Sequence, residues 1–247
     1  GEFGAVIALD LGRLDAVGAV DERSLTAVVG AGVRGPALEA ALGDRGLTLG
    51  HFPQSFEYVS IGGCVAARSA GQASTGYGRI DHNVLGLRCI APAEDIVCRA
   101  FPSTAAGPDL RQLVTGSEGV LGVISEVTLQ VHRRPAETRY EGFMLPSYAA
   151  GTEALRVLAQ AGAAPDVTRL SDEQETRLSM TLSDDGGLKR DLGRRYLKAR
   201  NVAGGALAIC GWEGEQDDVA RRRDAAADAL KRHGAVGLGR TAGNAWL

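Results

Sequence analysis

Apolar and β-branched runs broken by glycine and polar residues dominate the first half of the chain. AVIAL (5–9), TAVVGA (26–31), NVLGLRCIA (83–91), DIVCRA (95–100) and VLGVISEVTLQV (120–131) predict strands. PALEAAL (36–42) and PDLRQLV (108–114) predict short helices, each opened by a proline suited to the first turn. The pattern changes at Pro135. Beyond it, RYEGFML (139–145), PDVTRLS (165–171) and ALAICGW (206–212) predict further strands. A helix is expected near 148–161, with Leu155, Leu158 and Ala161 on one face. Residues 215–233 predict a charged helix in which Asp217 and Asp218 precede Arg221 and Arg222 by one turn, the pattern of a solvated face. The layout is α+β, with one domain over 1–134 and a second over 135–247.

Composition narrows the function classes. The 27 basic and 30 acidic residues give a net charge of -3, which leaves no electrostatic footprint for nucleic acid or an anionic membrane. No apolar run approaches the roughly 18 residues of a membrane span. Cys64, Cys89, Cys98 and Cys210 are scattered and keep no histidine close by, so neither a metal site nor a disulfide framework is expected. A reducing, cytoplasmic setting fits that usage. The outlier is glycine, at 34 residues.

Two glycine motifs fail on context. GAGVRG (30–35) has the form GxGxxG, but no second buried strand ending in an acidic residue follows at the distance a dinucleotide fold needs. It is expected to be a tight turn into a short helix. TGSEG (115–119) has threonine where a nucleophile elbow has its first glycine. No P-loop occurs.

Two longer stretches carry more. HFPQSFEYVSIGGCVAARSAGQASTGYG (51–78) and GPDLRQLVTGSEGVLGVISEVTLQV (107–131) are poor in side-chain bulk, which lets main chain approach a flat ligand closely. Their P-x-S-x-E-x-x-S-x-G-G pattern (53–63), YGRI (77–80) and GSEGVLGVISE (116–126) together resemble the vanillyl-alcohol oxidase and p-cresol methylhydroxylase superfamily. Within it the likeness is strongest to the alkylglycerone-phosphate synthases and bacterial FAD-linked oxidoreductases. It runs from ALDLGRLDAV (8–17) to GRTAGNAW (239–246).

The resemblance implies a PCMH-type FAD-binding domain followed by part of an α/β cap domain for substrate, with FAD as cofactor. It implies three FAD-contacting stretches. The first is Gln54, Ser55, Phe56, Glu57, Tyr58, Val59 and Ser60, continuing into Gly62 and Gly63. The second is Ala67, Arg68, Ser69 and Ala70, and the third Glu118, Gly119, Val120, Leu121, Gly122, Val123 and Ile124. The family often has Asp where Gln54 stands and hydroxyl residues where Ala67 and Ala70 stand, so backbone N–H groups must carry more of the contact here. Arg169 takes the place of an arginine important for the synthase's activity; without that role it would be a surface arginine paired with Asp166 or Asp172.

The implied reaction exchanges the acyl chain of acyl-dihydroxyacetone phosphate for an alkyl chain through a flavin N5 adduct, a step of ether lipid synthesis. The alternatives are an FAD-dependent oxidase or dehydrogenase of a 2-hydroxy acid or alcohol, and an inactive remnant. The partners implied are a small-molecule or lipid-phosphate substrate and, in a full-length parent, a second copy as homodimer. The family's pyrophosphate-gripping glycine loop would lie upstream of Ala5, and its catalytic tyrosine and histidine-rich segment beyond Trp246. The sequence therefore reads as a fragment of a longer flavoenzyme.

Overall fold

The computed structural model describes Ala5 and residues 7–101, 105–182 and 195–245. Val6 and Trp246 of the sequence patterns lie outside the described residues. The chain divides into two compact units, Gly1–Arg134 and Pro135–Leu247. Each mixes helix and sheet, so the fold is α+β.

The first unit runs β1 (Val17–Asp21), β2 (Thr26–Gly30), α1 (Gly35–Gly43), β3 (Leu47–Thr48), α2 (Ile61–Ala66), α3 (Ser74–Tyr77) and α4 (Ile80–Asn83). It continues with β4 (Val84–Ile90), β5 (Ile96–Cys98), α5 (Leu110–Val114), β6 (Val123–Gln130) and β7 (His132–Arg133). Five strands form an antiparallel sheet in the order β1-β2-β6-β4-β5, and β3 pairs with β7 apart from it. Period-two alternation puts Ala27 and Val29 of β2 and Val127 and Leu129 of β6 inward. Ile124 also faces the core although it is an odd number of residues from Val127, because a register shift opposite Arg88 and Cys89 resets the pleat. Leu38 and Leu42 of α1 and Ile61, Cys64 and Val65 of α2 complete that core.

The expected first strand, AVIAL, is not one. Its described residues are irregular, and Leu9 is 66% exposed: an apolar run without a partner strand cannot satisfy its ladder. The expected strand from Val120 starts only at Val123, after a turn. The short helix α2 is absent from the sequence reading, since two glycines in IGGCVA argue against helix. Ser60 supplies what propensity lacks: its Oγ accepts from Gly63 N at 3.2 Å as N-cap.

The second unit runs β8 (Glu137–Leu145), α6 (Tyr148–Gln160), β9 (Val167–Ser171), α7 (Glu173–Leu182), α8 (195–199), β10 (Ala206–Gly214), α9 (Gln216–Arg232), β11 (Val236–Leu238) and α10 (Gly239–Asn244). Its antiparallel sheet has the order β11-β8-β10-β9. The nine-residue β10–β8 ladder is buried through most of its length on both faces. Phe143, Leu145, Ala208, Cys210 and Trp212 pack with α6 and α9, while Met144 and Val236 pack with Leu197 and Val202. The buried residues of α6 are Gly151, Ala154 and Leu158; Leu155 is half-buried and Ala161 is exposed at the cap, so the inward face is rotated from the expected one. The charged helix α9 is not a merely solvated face. Asp218 pairs with Arg222 at 2.7 Å, but Arg222 also reaches Asp166 at 2.8 Å, and Arg223 reaches the buried Glu141 at 2.7 Å.

Candidate cofactor cleft

GAGVRG forms a backbone seam. Gly35 N donates to Val59 O at 3.2 Å, Ile61 N to Val33 O at 2.9 Å, and Gly62 N to Ala31 O at 2.8 Å. Arg34 adds a bond to Tyr58 O. This seam presents the start of α2 beside β2. The Glu118 turn is joined to the other end of the same helix: Gly116 N donates to Val65 O and Glu118 N to Ala66 O, both at 3.0 Å. The two glycine-rich stretches therefore meet across α2.

Between them lies a cleft of about 320 Å³ lined by Leu9, Leu11, Ser60, Gly62, Gly63, Ala66, Glu118, Gly119, Gly122, Val123 and Ile124. Eight of these are residues the sequence singles out: Ser60, Gly62, Gly63, Glu118, Gly119, Gly122, Val123 and Ile124. Leu9, Leu11 and Ala66 were not. Leu9 ends the expected strand AVIAL and Leu11 lies beyond it, and only the tertiary path brings them over the cleft.

The remaining sites fall elsewhere. Gln54 to Val59 form a tight turn, with Phe56 N bonded to Pro53 O and Val59 N to Ser55 O. Gln54, Ser55 and Glu57 are exposed there, and the Phe56 ring turns away to pack at 5.2 Å from Phe52. Tyr58, 79% exposed, borders a smaller adjoining pocket of about 140 Å³ with Asp10, Leu11, Gly12, Gly32, Arg34 and Ser60. Ala67 and Ala70 are exposed outside the cleft lining, and the Ser69 hydroxyl bonds His51 Nε2 at 2.8 Å. Burial pushes the His51 pKa down, and pushes the Cys64 thiol up against the opposing hydrogen bond from Ser69. Arg68 turns its guanidinium to backbone carbonyls rather than to the cleft. Val120 is 86% exposed at the tip of the turn, and Leu121 packs on the core.

Two glycines are bare because the protein itself needs the room: a Cβ on Gly62 would lie 2.6 Å from Ala31 Cβ, and one on Gly122 would lie 2.3 Å from Ile90 O. The cleft side differs. A Cβ on Gly63 would meet Ser60 Oγ at 3.1 Å and nothing else nearby, and one on Gly119 only the Gly122 carbonyl at 4.0 Å.

Residues 2–98 match the FAD binding domain family, and residues 134–245 match the C-terminal domain of FAD linked oxidases. The chain therefore carries an FAD binding domain and an FAD-linked oxidase C-terminal domain. It is 32% identical, over 97% of its own length and 40% of the relative's, to alkyldihydroxyacetonephosphate synthase of Dictyostelium discoideum. It is 36% identical, over 73% of its length and 38% of the relative's, to an uncharacterized FAD-linked oxidoreductase of Escherichia coli (strain K12). A solved alkyldihydroxyacetonephosphate synthase superposes with a TM-score of 0.83 at 33% identity, covering 96% of this chain and 44% of that one. The chain thus spans about 40% of the length of the curated relatives it matches.

The cofactor of this chain is FAD. The cleft fits part of such a molecule. Leu9, Leu11, Ala66, Val123 and Ile124 supply apolar surface for a flat ring, the bare backbone at Gly63 and Gly119 lets it approach, and the Ser60 hydroxyl and Glu118 carboxylate offer polar contacts. Among the described residues no group of His, Cys, Asp and Glu is placed to hold a metal ion, and no helix is long and apolar enough to cross a membrane.

Arg169 belongs to the second unit, on β9 opposite Ile209. Its guanidinium donates to Glu175 of α7, and its side chain stays 41% exposed. Neither expected partner is the one it takes. Asp166 is engaged by Arg222, and Asp172 accepts from the backbone N–H groups of Gln174 and Glu175 at the start of α7.

Proposed function

We propose that this chain forms the cofactor cleft and part of the substrate-binding cap of an alkyldihydroxyacetonephosphate synthase-type flavoenzyme, which exchanges the acyl chain of acyl-dihydroxyacetone phosphate for an alkyl chain. One observation carries the reading: the identity to the Dictyostelium synthase extends over 97% of the chain and so takes in nearly all of both units, whereas the match to the oxidoreductase, which also enters both, stops at 73%. A likeness confined to the FAD-binding unit would speak for the cofactor alone.

When bound, FAD supplies an isoalloxazine ring that reversibly accepts an electron pair. Leu9, Leu11, Ala66, Val123 and Ile124 shield the bound ring from water, and Ser60 and Glu118 orient its polar edge. Arg169 presents a planar fork to the substrate phosphate, which competes with Glu175 for it. The E. coli relative's description supports a second reading, oxidation of a 2-hydroxy acid or alcohol with transfer of hydride to the flavin.

The FAD-loaded full-length parent distinguishes the two. Incubated with acyl-dihydroxyacetone phosphate and a labelled long-chain alcohol, it should incorporate the label without lasting bleaching of the flavin. Anaerobic bleaching by a 2-hydroxy acid, with no label incorporated, would replace the synthase reading by the second. Arg169→Lys should lower turnover more than FAD content; equal losses would remove Arg169 from the site.

A further inference from the structure

We infer that Arg68 is a positioning residue, a clamp that sets the separation of the two cleft walls through the backbone instead of touching the cofactor. The inference rests on the assignment of FAD to the cleft between α2 and the Glu118 turn.

Arg68 follows α2 in the left-handed region, at φ 50°, a conformation that costs a non-glycine residue free energy unless its surroundings hold it there. Its guanidinium crosses to the other wall. Nη2 donates to Gln112 O at 2.8 Å and to Thr115 O at 2.6 Å; Nη1 donates to Gln112 Oε1 at 3.2 Å and to Asp81 Oδ2 at 3.4 Å. Asp81 is buried, with its side chain 5% exposed, and also takes Arg79 at 2.8 Å. Asp81 therefore anchors the arginine, and the arginine fastens the carbonyls where α5 gives way to the turn before Glu118. Without it the Thr115 carbonyl loses a charge-assisted donor.

The neighbouring glycine fits the same account. A Cβ on Gly116 would stand 2.8 Å from Arg68 Nε, and Gly116 is itself at φ 83°. The guanidinium occupies the room a side chain would need. Immediately beyond it, the amides of Gly116 and Glu118 bond the last carbonyls of α2, and Glu118 begins the second cleft wall. The arginine and these two amides form one continuous seam, so loosening the fork frees the turn that carries Glu118 and Gly119. Lysine is no substitute, because a single ammonium on a flexible stem cannot hold the fork's planar geometry across both carbonyls and Asp81.

The experiment measures amide hydrogen exchange and FAD binding on the full chain. Arg68→Ala should speed exchange at Gly116 and Glu118 while leaving Gly62, bonded to Ala31, unchanged. It should weaken FAD by roughly tenfold, and at saturating cofactor the visible band of bound flavin should move toward that of free FAD, a change that a uniform loss of stability does not produce. Arg68→Lys, the milder variant if alanine fails to fold, should fall between. Gly116→Ala should weaken FAD in the native background by displacing the guanidinium, and by less in the Arg68→Ala background, where the obstacle is gone. Unchanged exchange at Gly116 and Glu118 in the Arg68 variants, or equal effects of Gly116→Ala in both backgrounds, would overturn the clamp. Faster exchange with unaltered FAD affinity and spectrum would overturn its positioning role. Failure of the cleft assignment shows differently: the unsubstituted full-length parent would not bind FAD, and the exchange data would still decide whether Arg68 holds the walls.

Discussion

The two units differ in the main use they make of arginine. In the first, Arg34 reaches Tyr58 O, Arg68 reaches Gln112 O and Thr115 O, and Arg111 reaches Leu85 O at 3.0 Å, each fastening backbone of a distant segment. In the second, Arg139 and Arg223 converge on the Glu141 carboxylate, and Arg222 takes Asp166 and Asp218. The reason is where the backbone hydrogen bonds go. The first unit joins its strands through long turns and short helices, which leave carbonyls outside any ladder. Leu85 is one of them, in a register shift of β4. The second unit pairs β10 with β8 over nine residues, and there Arg139 and Arg223 neutralise the buried Glu141, while Arg222 joins Asp166 to the Glu213 carbonyl.

The largest effect should come from Glu141→Ala. Its side chain is 3% exposed, and removal would leave two guanidinium groups facing each other with only the exposed Asp224, on Arg223, as counter-charge. Because both arginines keep partial access to water, a loss of about 3 kcal/mol is expected, at the lower end for breaking a buried pair. Urea unfolding followed by Trp212, buried in the same unit, would measure it. Replacing Glu141, Arg139 and Arg223 together by apolar residues should recover most of that loss; if it does not, packing rather than charge explains the site.

Arg111→Met comes next. The Leu85 carbonyl would lose its donor at the price of about 1–2 kcal/mol. Hydrogen exchange should localise the change to β4 and β5, and an effect spread over the whole unit would contradict a local staple.

Acid should part the units more subtly. Burial lowers the pKa of His51 and His132 below 6.5, so the folded first unit keeps them neutral while the unfolded chain begins to protonate them at that pH. Stability is therefore lost as pH falls below 6.5 toward the folded values. Burial alone would raise the Glu141 pKa, but Arg223 and Arg139 outweigh it and hold it below 4.5. Its contribution is present above that value and is lost only as pH falls further, through the folded pKa. Exchange measured between pH 7 and 5 should show the first unit loosening before the second, and simultaneous loosening would contradict this ordering. The smallest effect belongs to Asp217→Ala in the exposed first turn of α9, which should alter stability by no more than about 0.5 kcal/mol.

Much of this was legible from residues in order. β2, β4, β5, α1, β8, β9 and β10 lie where apolar periodicity placed them, because each is long or regular enough for its pattern to exceed local propensity. The strands that closed on few partners were not. AVIAL looks like a strand by composition but pairs with no strand among the described residues, and β1 and β11 become strands only because β2 and β8 offer them an edge. The same limit applies to Arg222 and Arg223: helical spacing identifies partners one turn away, whereas Asp166 and Glu141 lie 56 and 82 residues earlier in the chain.

Local sequence determined that two glycine-rich stretches poor in side-chain bulk would have bare backbone, because steric freedom is a property of neighbouring residues. Tertiary structure alone decided which bare positions face a ligand. Gly62 and Gly122 are pressed against Ala31 and Ile90 while Gly63 and Gly119 stay open, and Arg68 serves the walls rather than the space between them. Those outcomes depend on which segments are brought into contact, and no short-range pattern encodes a contact made across 40 or more residues.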